Sequence, residues 1–265
     1  MTRFCTRARP RGDCRILLAV LLLGVLCQGQ SYQDSFDAGT LNRDWIVSSY
    51  TVANYAGGGS TVTFSPSNID LSQGVLRLEL DQPSAGTSTG AEIQLSQAYG
   101  YGTYEFTMRV GSTSATKAGA GTPVSGQISA TFLLSDPNSA TEIDAPEIEG
   151  LSVRSNWVQW TSWKNDSPTS GTPAYTILAN PAAAFHKYKI TWSASRLDYY
   201  IDSVLVSSTK SNIPGVNAHP TINFYGTNSS AWGGPATVGT SRYMYVSSFS
   251  YSSIQAPTAL TNQVH

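Results

Sequence analysis

The feature that most constrains the fold of this chain is an alternation of apolar and polar residues with a period of two. Successive side chains of a β-strand point to opposite faces, so each alternating segment is predicted to be a strand with one buried face. The clearest such segments are residues 76–80, 104–110, 188–192 and 197–201. Turn-forming sequences such as Ser72-Gln73-Gly74 and Ile213-Pro214-Gly215 separate the strands.

No stretch of the sequence carries the apolar spacing of a long helix, and residues 181–185 would support one helical turn at most. Many short strands joined by Gly-, Ser- and Thr-rich connections predict an all-β fold, a two-sheet antiparallel β-sandwich or jelly roll. Two polar segments, residues 111–126 and 164–173, are expected to form either loops at the edge of a cleft or mobile surface loops.

The first residues are predicted to be an export signal rather than part of the fold. Five arginines precede an eleven-residue apolar run, residues 16–26, which is shorter than the roughly 20 residues of a membrane span. We therefore expect residues 1–29 to be a secretory signal peptide, residues 30–255 to be one jelly-roll domain, and residues 256–265 to be a C-terminal tail. The mature protein is expected to be secreted, with no membrane partner once the signal is removed.

Cysteine content and charge narrow the possible partners of the mature chain. Cys5, Cys14 and Cys27 all lie in the predicted signal, so no disulfide or thiolate metal site is expected in the mature domain. Loss of that segment removes five arginines and one aspartate and takes the net charge from −1 to −5. A mildly acidic protein is a poor match for nucleic acid, and we expect a monomer.

Carboxylates are concentrated in one short segment, residues 142–149, of a chain that is otherwise poor in charge. Glu142 and Asp144 would share one face of a strand, whereas Glu147 would fall on the other face unless one extra residue were inserted. Pro146 indicates such an insertion, because proline inside a strand is confined to edges and bulges. A bulge at Ala145-Pro146 would place Glu142, Asp144, Glu147 and Glu149 on one face.

A row of carboxylates on one face suits glycoside hydrolysis. One carboxylate attacks the anomeric carbon, and a second, kept protonated by its neighbours, protonates the leaving oxygen. Two other readings of the same segment are a solvated strand face and a calcium loop, although Ile143, Ala145 and Pro146 favour a strand over a loop. On this segment alone, catalysis and a structural origin of the cluster both remain open.

The pattern Glu-x-Asp-x-x-Glu resembles the signature of glycoside hydrolase family 16, in the bulged form of laminarinases and agarases; lichenases have the form without the bulge. Other segments resemble this family in the same order along the chain. They are residues 99–105 (YGYGTYE), Phe185-His186-Lys187-Tyr188 with Trp192, and residues 197–206 (LDYYIDSVLV). The resemblance covers roughly residues 36–251 and implies a concanavalin A-like glucanase fold.

The resemblance also implies roles for individual residues. Glu142 would be the nucleophile, Glu147 the general acid/base, and Asp144 the group that hydrogen-bonds to them and tunes them, with net retention of configuration. Further residues resemble sugar-binding positions of the family: Glu92, Gln159, Thr161, Trp163, Asn223, Tyr225 and Trp232. Trp157, Trp160 and Trp192 are expected in the core, because aromatic residues usually fill sandwich interiors.

Some positions depart from the family pattern. Gln94 stands where an arginine often follows the sugar-binding glutamate, and Ser247 stands where an aspartate linked to a calcium site is often found. We therefore expect no cofactor and no obligatory metal. The undecided residue is Glu149, which would either face the cleft or pair with a cation such as Arg154.

Three functions are compatible with these observations. The first is endo-acting hydrolysis of a β-1,3- or β-1,3/1,4-linked glucan. The second is transglycosylation of a cell-wall polysaccharide, in which a sugar replaces water as the acceptor. The third is a catalytically silent, lectin-like module that binds carbohydrate on the same fold, which the intact carboxylate motif disfavours.

Overall fold

The computed structural model describes residues 29–135, 141–164, 167–168 and 174–254. The predicted signal peptide, apart from its last residue, and the C-terminal tail lie outside the described residues, as does much of the 164–173 segment. Within the described residues the fold is almost entirely strand, with short 3-10 turns at Tyr55–Gly57 and Pro66–Asn68. No helix among them has the length and apolar character needed to cross a bilayer.

The described strands, numbered β1 to β19 in chain order, form two packed sheets. The outer sheet runs in the order β5 (Ile69–Asp70), β6 (Leu76–Ser84), β19 (Arg242–Ser253), β8 (Gly102–Ser112), β15 (His186–Ser193), β16 (Arg196–Ile201) and β17 (Val204–Thr209). β1 (Ser31–Asp34) pairs with the far half of β19, so that Ser31 lies opposite Ser252. All these pairings are antiparallel.

The second sheet, here called the cleft sheet, contains the predicted catalytic segment. Its order is β2 (Trp45–Val47), β7 (Thr87–Leu95), β18 (His219–Gly226), β9 (Gln127–Leu134), β10 (Glu142–Glu149), and then β11 (Trp157–Trp160) and β12 (Ser162–Lys164). β14 (Ala174–Ile177) extends β11, and β13 (Ser167–Pro168) extends β12. A small flap of β3 (Tyr50–Val52) and β4 (Thr61–Phe64) joins β7, which it meets in parallel.

One apolar core fills the space between the two sheets. Alternate residues of β6, β8, β15 and β16 enter it from the outer sheet, as the period-two pattern predicts, and Leu76, Phe106, Ile190 and Trp192 are fully buried. Burial of each such side chain stabilises the fold by about 1.5 to 3 kcal/mol. The all-β, two-sheet antiparallel fold predicted from the sequence is therefore confirmed.

The core also decides the expectations for the tryptophans and for one turn. Trp160 and Trp192 are buried, whereas Trp157 is only partly buried. Asp202 and Ser203 form the two-residue turn between β16 and β17, and both have positive φ, 48° and 72°. Asp202 also accepts a hydrogen bond from the Lys187 amide and contacts His186 Nδ1 at 2.7 Å, which gives His186 a structural partner.

The 111–126 segment is ordered by a buried arginine. Arg109, which is 1% exposed, donates to the backbone carbonyls of Thr116, Lys117 and Gly119, and its guanidinium lies 4.5 Å from the ring centre of Tyr245. This part of the segment is therefore held against β8 and β19 of the outer sheet. Its last residue, Gly126, donates its amide to the carbonyl of Gly233, which belongs to a loop of the cleft sheet.

Candidate active site

The carboxylate strand β10 contains a bulge. Its pairing with β9 shifts register between Asp144 and Glu147, with a cis peptide bond at Ala145-Pro146. Ile143, Ala145 and Ile148 point into the core between the sheets. The alternation therefore leaves Glu142, Asp144, Glu147 and Glu149 on the opposite face, which we call the cleft face. The predicted bulge and its effect on the phase of the strand are both confirmed.

Strand register arranges the cleft face in rows across the sheet. One row runs from Glu147 on β10 through Ala130 and Asn223 to Glu92 on β7. The next row runs in the same direction from Asp144 through Phe132 and Thr221 to Gln94. On the other side of β10, Gln159 lies opposite Glu147, and Trp163 lies opposite Glu142.

Asp144 is buried and Glu142 and Glu147 beside it are half-buried, and this loss of solvent raises the pKa of each carboxyl group. Burial raises the pKa of Glu147 to about 8, and the charges of Glu142 and Glu149 add to the rise. Burial likewise raises the pKa of Asp144 well above its ordinary value, and Glu147 and Glu142 reinforce that effect. Burial raises the pKa of Glu142 as well, but a hydrogen bond with Asp144 opposes the rise.

Hydrogen bonding distinguishes Asp144 from its two neighbours. The indole Nε1 of Trp163 donates to Asp144 Oδ2 at 3.3 Å. Apart from the neighbouring carboxyl groups, no donor of the described residues reaches the buried Oδ1 of Asp144. Two carboxyl groups hydrogen-bond only if one of them holds a proton, so the contact between Glu142 and Asp144 requires a proton on the pair. That contact opposes the rise in the pKa of Glu142 and adds to the rise in the pKa of Asp144, so it favours a proton on Asp144 and the ionised form of Glu142.

With a pKa of about 8, Glu147 keeps its proton near neutral pH, whereas the contact with Asp144 favours the ionised form of Glu142 on the same face. Glu142 is available as a nucleophile or as a stabiliser of positive charge, whereas Glu147 can deliver a proton. Pairs of carboxyl groups with such divergent protonation are the working parts of glycoside hydrolysis.

A cavity of about 530 Å³ opens beside Glu142 and Glu147 and extends across β9, β18 and β7. Phe132, Leu134, two alanines and the tyrosine rings supply apolar surface, and hydroxyl, amide and carboxyl groups supply the polar part of the lining. Its lining residues are Ser48, Tyr50, Tyr55, Ala56, Glu92, Gln94, Ala130, Phe132, Leu134, Glu142, Glu147, Thr221, Asn223 and Tyr225.

Glu92 is the centre of a hydrogen-bond network at the far wall of this cavity. Its Oε1 accepts from Ser48 Oγ at 2.6 Å and from the Tyr50 hydroxyl at 2.9 Å. Its Oε2 accepts from Asn223 Nδ2 at 3.2 Å, and the same amide group donates to the Tyr55 hydroxyl at 3.2 Å. The buried Oδ1 of Asn223 has no protein partner among the described residues and so can accept a hydroxyl from a bound ligand.

The sequence-predicted binding residues all lie on or beside the cleft face. Glu92, Asn223 and Tyr225 line the cavity together with Glu142 and Glu147. Trp163 contacts Asp144, and Trp232 donates from Nε1 to the Tyr225 hydroxyl at 2.9 Å. Gln159 and Thr161 are 4% and 7% exposed and do not line the cavity, and the Gln159 amide donates to Glu149.

Two of the tyrosines that line the cavity were not predicted from the sequence. Tyr50 belongs to β3 of the flap, and Tyr55 to the 3-10 turn in the connection between β3 and β4. Tyr55 is fixed edge-on against Tyr225, with ring centres 4.8 Å apart. The glycine-rich stretch after Tyr55 predicts a loop, but only the pairing of β4 with β7 brings this loop over the cleft.

Among the described residues, no group of three or more His, Cys, Asp or Glu side chains is arranged to hold a metal ion. Ser247, at the position where the sequence resemblance anticipates an aspartate, directs its hydroxyl to the Thr107 carbonyl at 3.4 Å.

Comparison with known proteins gives matches at the level of family, sequence and fold. The model of the family described as glycosyl hydrolases family 16 matches residues 57–247. A beta-glucanase of Paenibacillus polymyxa is 25% identical over 176 residues, which cover 64% of this chain and 67% of that protein.

Solved structures share the fold at lower identity. The beta-glucanase of Bacillus licheniformis superimposes with a TM-score of 0.70 at 22% identity, covering 86% of this chain and 99% of that one. The Crh5 transglycosylase superimposes with a TM-score of 0.64 at 18% identity, covering 85% of each chain.

Proposed function

Because this chain belongs to glycosyl hydrolases family 16 and is therefore a glycoside hydrolase, we propose that it cleaves β-glucan chains internally with retention of configuration. We propose the substrate class from the beta-glucanases to which the chain is similar. The proposed substrate is a β-1,3-glucan or a mixed β-1,3/1,4-glucan. The observation that carries the proposal is the pair Glu142 and Glu147, which share the cleft face: burial raises the pKa of Glu147 to about 8, whereas a hydrogen bond with Asp144 opposes the rise in the pKa of Glu142.

In the first step, the Glu142 carboxylate attacks the anomeric carbon of the sugar bound in the cavity. The bond between this carbon and the glycosidic oxygen breaks, and the proton of Glu147 passes to that oxygen. Asp144 keeps the nucleophile oriented through their shared proton, and Trp163 holds Asp144 from the other side. The products are a glycosyl ester of Glu142, an ionised Glu147 and a shortened polysaccharide with a free hydroxyl.

In the second step, a water molecule replaces the departed sugar. Ionised Glu147 takes a proton from this water, whose oxygen attacks the anomeric carbon and releases Glu142 as a carboxylate. Both residues return to their starting protonation states. Two successive inversions at the same carbon give net retention.

The cavity wall suggests how the sugar is held. Asn223 Oδ1 and the carboxylate of Glu92 are acceptors for sugar hydroxyls, and the rings of Tyr50, Tyr55, Tyr225 and Phe132 offer apolar surface for a sugar face. Trp163 and Trp232 are proposed to extend this platform at the edges of the site. We also propose that the mature enzyme is secreted and monomeric, which N-terminal sequencing of the exported protein and size-exclusion chromatography would check.

The test is a product profile from a panel of lichenan, laminarin, agarose and carrageenan. We expect rapid loss of viscosity with lichenan or laminarin and oligosaccharide products whose first-formed anomer, followed by NMR, is β. An α first-formed anomer would overturn the retaining mechanism. Cleavage of agarose or carrageenan alone would overturn the proposed substrate, and products longer than the starting oligosaccharide would indicate transfer in place of hydrolysis.

A further inference from the structure

A fourth carboxylate, Glu149, lies on the cleft face but does not line the cavity. It is 2% exposed and is surrounded by hydrogen-bond donors. Its Oε1 accepts from Gln159 Nε2 at 2.9 Å, and its Oε2 accepts from the Gly233 amide at 2.7 Å. Arg154 completes the set with an ion pair of 2.7 Å. These groups are all donors and favour the ionised form of Glu149, against the rise in its pKa that burial causes.

Glu149 and Arg154 each hold a loop, residues 228–236, that carries Trp232 and is here called the Trp232 loop. Gly233 is held directly by Glu149, and Arg154 donates to the Ser230 carbonyl at 3.2 Å. Within the loop, Ser229 bridges to both Trp232 and Gly234. Glu149 and Arg154 therefore hold the loop by hydrogen bonds on both sides of Trp232.

The same carboxylate reaches the reacting groups by a second path. Gln159 lies opposite Glu147 in the register of β10 and β11, and its amide is oriented by Glu149. Trp232 in turn donates to the hydroxyl of Tyr225, which lines the cavity beside Glu147. Both arms of the network thus end next to the residue assigned as acid/base.

We propose that Glu149 is a positioning residue which, as a carboxylate paired with Arg154, fixes the Trp232 loop and the Gln159 amide beside Glu147 and so determines how tightly the polysaccharide binds there. This inference rests on the proposed function. An ion pair that only stabilised the fold would need no contact with a loop that carries an aromatic side chain beside the acid/base. It would also leave the Michaelis constant unchanged once the protein had folded.

The experiment compares Glu149→Gln and Arg154→Gln with a matched control, Glu79→Gln, which removes a carboxylate paired with Arg77 at 3.7 Å on the outer sheet. Hydrogen exchange of the Gly233 amide is followed by NMR without substrate, and KM and kcat are measured on lichenan. We expect Gly233 exchange to accelerate at least about tenfold in both cleft variants, since a charge-assisted hydrogen bond is lost or loosened. KM should rise about tenfold while kcat at the pH optimum changes less than about threefold.

A pH profile separates the charge of Glu149 from its packing. Glu147 faces three carboxyl groups of its own strand, those of Glu142, Asp144 and Glu149, and the Tyr225 hydroxyl on β18. Glu149→Gln removes one negative charge, so the basic limb of kcat/KM should move to lower pH, by about half a unit or more. Arg154→Gln keeps that carboxylate and should not move the limb downwards.

Unchanged Gly233 exchange in both cleft variants, or unchanged KM with accelerated exchange, would overturn the inference. If Glu149→Gln failed to fold, Arg154→Gln would carry the exchange and KM tests, because the Arg154 side chain is partly exposed. The exchange of the Gly233 amide is measured without substrate. A wild-type chain that is inactive on every glucan would therefore overturn the proposed function, whereas the exchange rate of the Gly233 amide would still test whether Glu149 orders the loop.

Discussion

At the scale of single residues, Glu142 and Glu147 are chemically identical groups that differ in surroundings. Glu142 is hydrogen-bonded to Asp144, whereas burial and two neighbouring charges keep the proton on Glu147. This difference allows their proposed roles to be separated even though replacement of either should remove most activity, about 10²-fold or more.

The first prediction uses an aryl β-glycoside whose leaving group needs no protonation. Glu147→Ala should still form the glycosyl ester at Glu142, and added azide should attack it to give a β-glycosyl azide. Glu142→Ala lacks the nucleophile, so azide should displace the leaving group directly and give the α-glycosyl azide. NMR of the products decides between the two, and the reverse pattern would exchange the roles of the two residues.

The second prediction concerns pH. The pKa of Glu147 is about 8 in the folded protein and is expected near 4.3 when unfolded, so the folded state binds more protons between these values. The free energy of unfolding should therefore fall as pH rises from about 4.3 to about 8. Glu147→Gln removes this effect and should stabilise the protein at pH 9 by about 2 kcal/mol relative to wild type.

Denaturant unfolding at pH 5 and pH 9 measures that difference, and Glu79→Gln on the outer sheet serves as the control. The basic limb of kcat/KM should also fall near pH 8, because the proton donor is lost there. Equal stability of wild type and Glu147→Gln at both pH values would mean that Glu147 is not perturbed by burial.

Residues whose role depends on strand phase could be predicted from the sequence. The shared face of Glu142, Asp144 and Glu147 follows from one strand with one bulge, whereas Asn223 and Tyr225 were expected from the family resemblance. Tyr50 and Tyr55 could not be predicted, because their place in the cavity depends on a flap that pairs with a strand far along the chain.

At the scale of elements, the bulge in β10 sets which face each carboxyl occupies. The third prediction tests this phase by changing the length of the strand. Deletion of Pro146 brings Glu147 two positions from Asp144, which keeps both on the cleft face, so the variant should fold and retain measurable activity. Deletion of both Ala145 and Pro146 makes Glu147 adjacent to Asp144 and so moves it to the core face, where an unpaired carboxyl costs several kcal/mol.

Circular dichroism with heating, together with lichenan hydrolysis, checks both variants. The double-deletion variant should be inactive and should unfold at a lower temperature than the variant that lacks Pro146 alone. If loss of Pro146 alone were as damaging as the double deletion, the alternation of faces would not be what the bulge controls.

Loops were less predictable than strands for a related reason. The polar composition of residues 111–126 left open whether the segment borders the cleft or is mobile surface. Arg109 of the outer sheet decides the matter by binding three backbone carbonyls of the segment, and the end of the segment contacts the Trp232 loop. A buried arginine in a strand that otherwise alternates was the one available signal.

At the scale of the whole molecule, the charge of the cavity limits what can enter it. The ionisable side chains of its lining other than tyrosine are Glu92, Glu142 and Glu147, with no lysine, arginine or histidine among the lining residues. The fourth prediction is that sulfated polysaccharide binds at least about tenfold more weakly than lichenan at low salt, because like charges repel. Affinity electrophoresis in gels containing lichenan or carrageenan measures this, and equal retardation would contradict it.

The pairing of β1 with β19 has a practical meaning for protein engineering. Ser31 and Ser252 are neighbours across a strand pair, on the sheet that faces away from the cleft. A short linker between them should allow a circular permutant that starts at the exposed turn of Ala194 and Ser195. A tether before Ser31 or after Ser252 would likewise leave the cavity facing away from the support. The domain should therefore work when it is displayed on a bead, a cell wall or a larger scaffold.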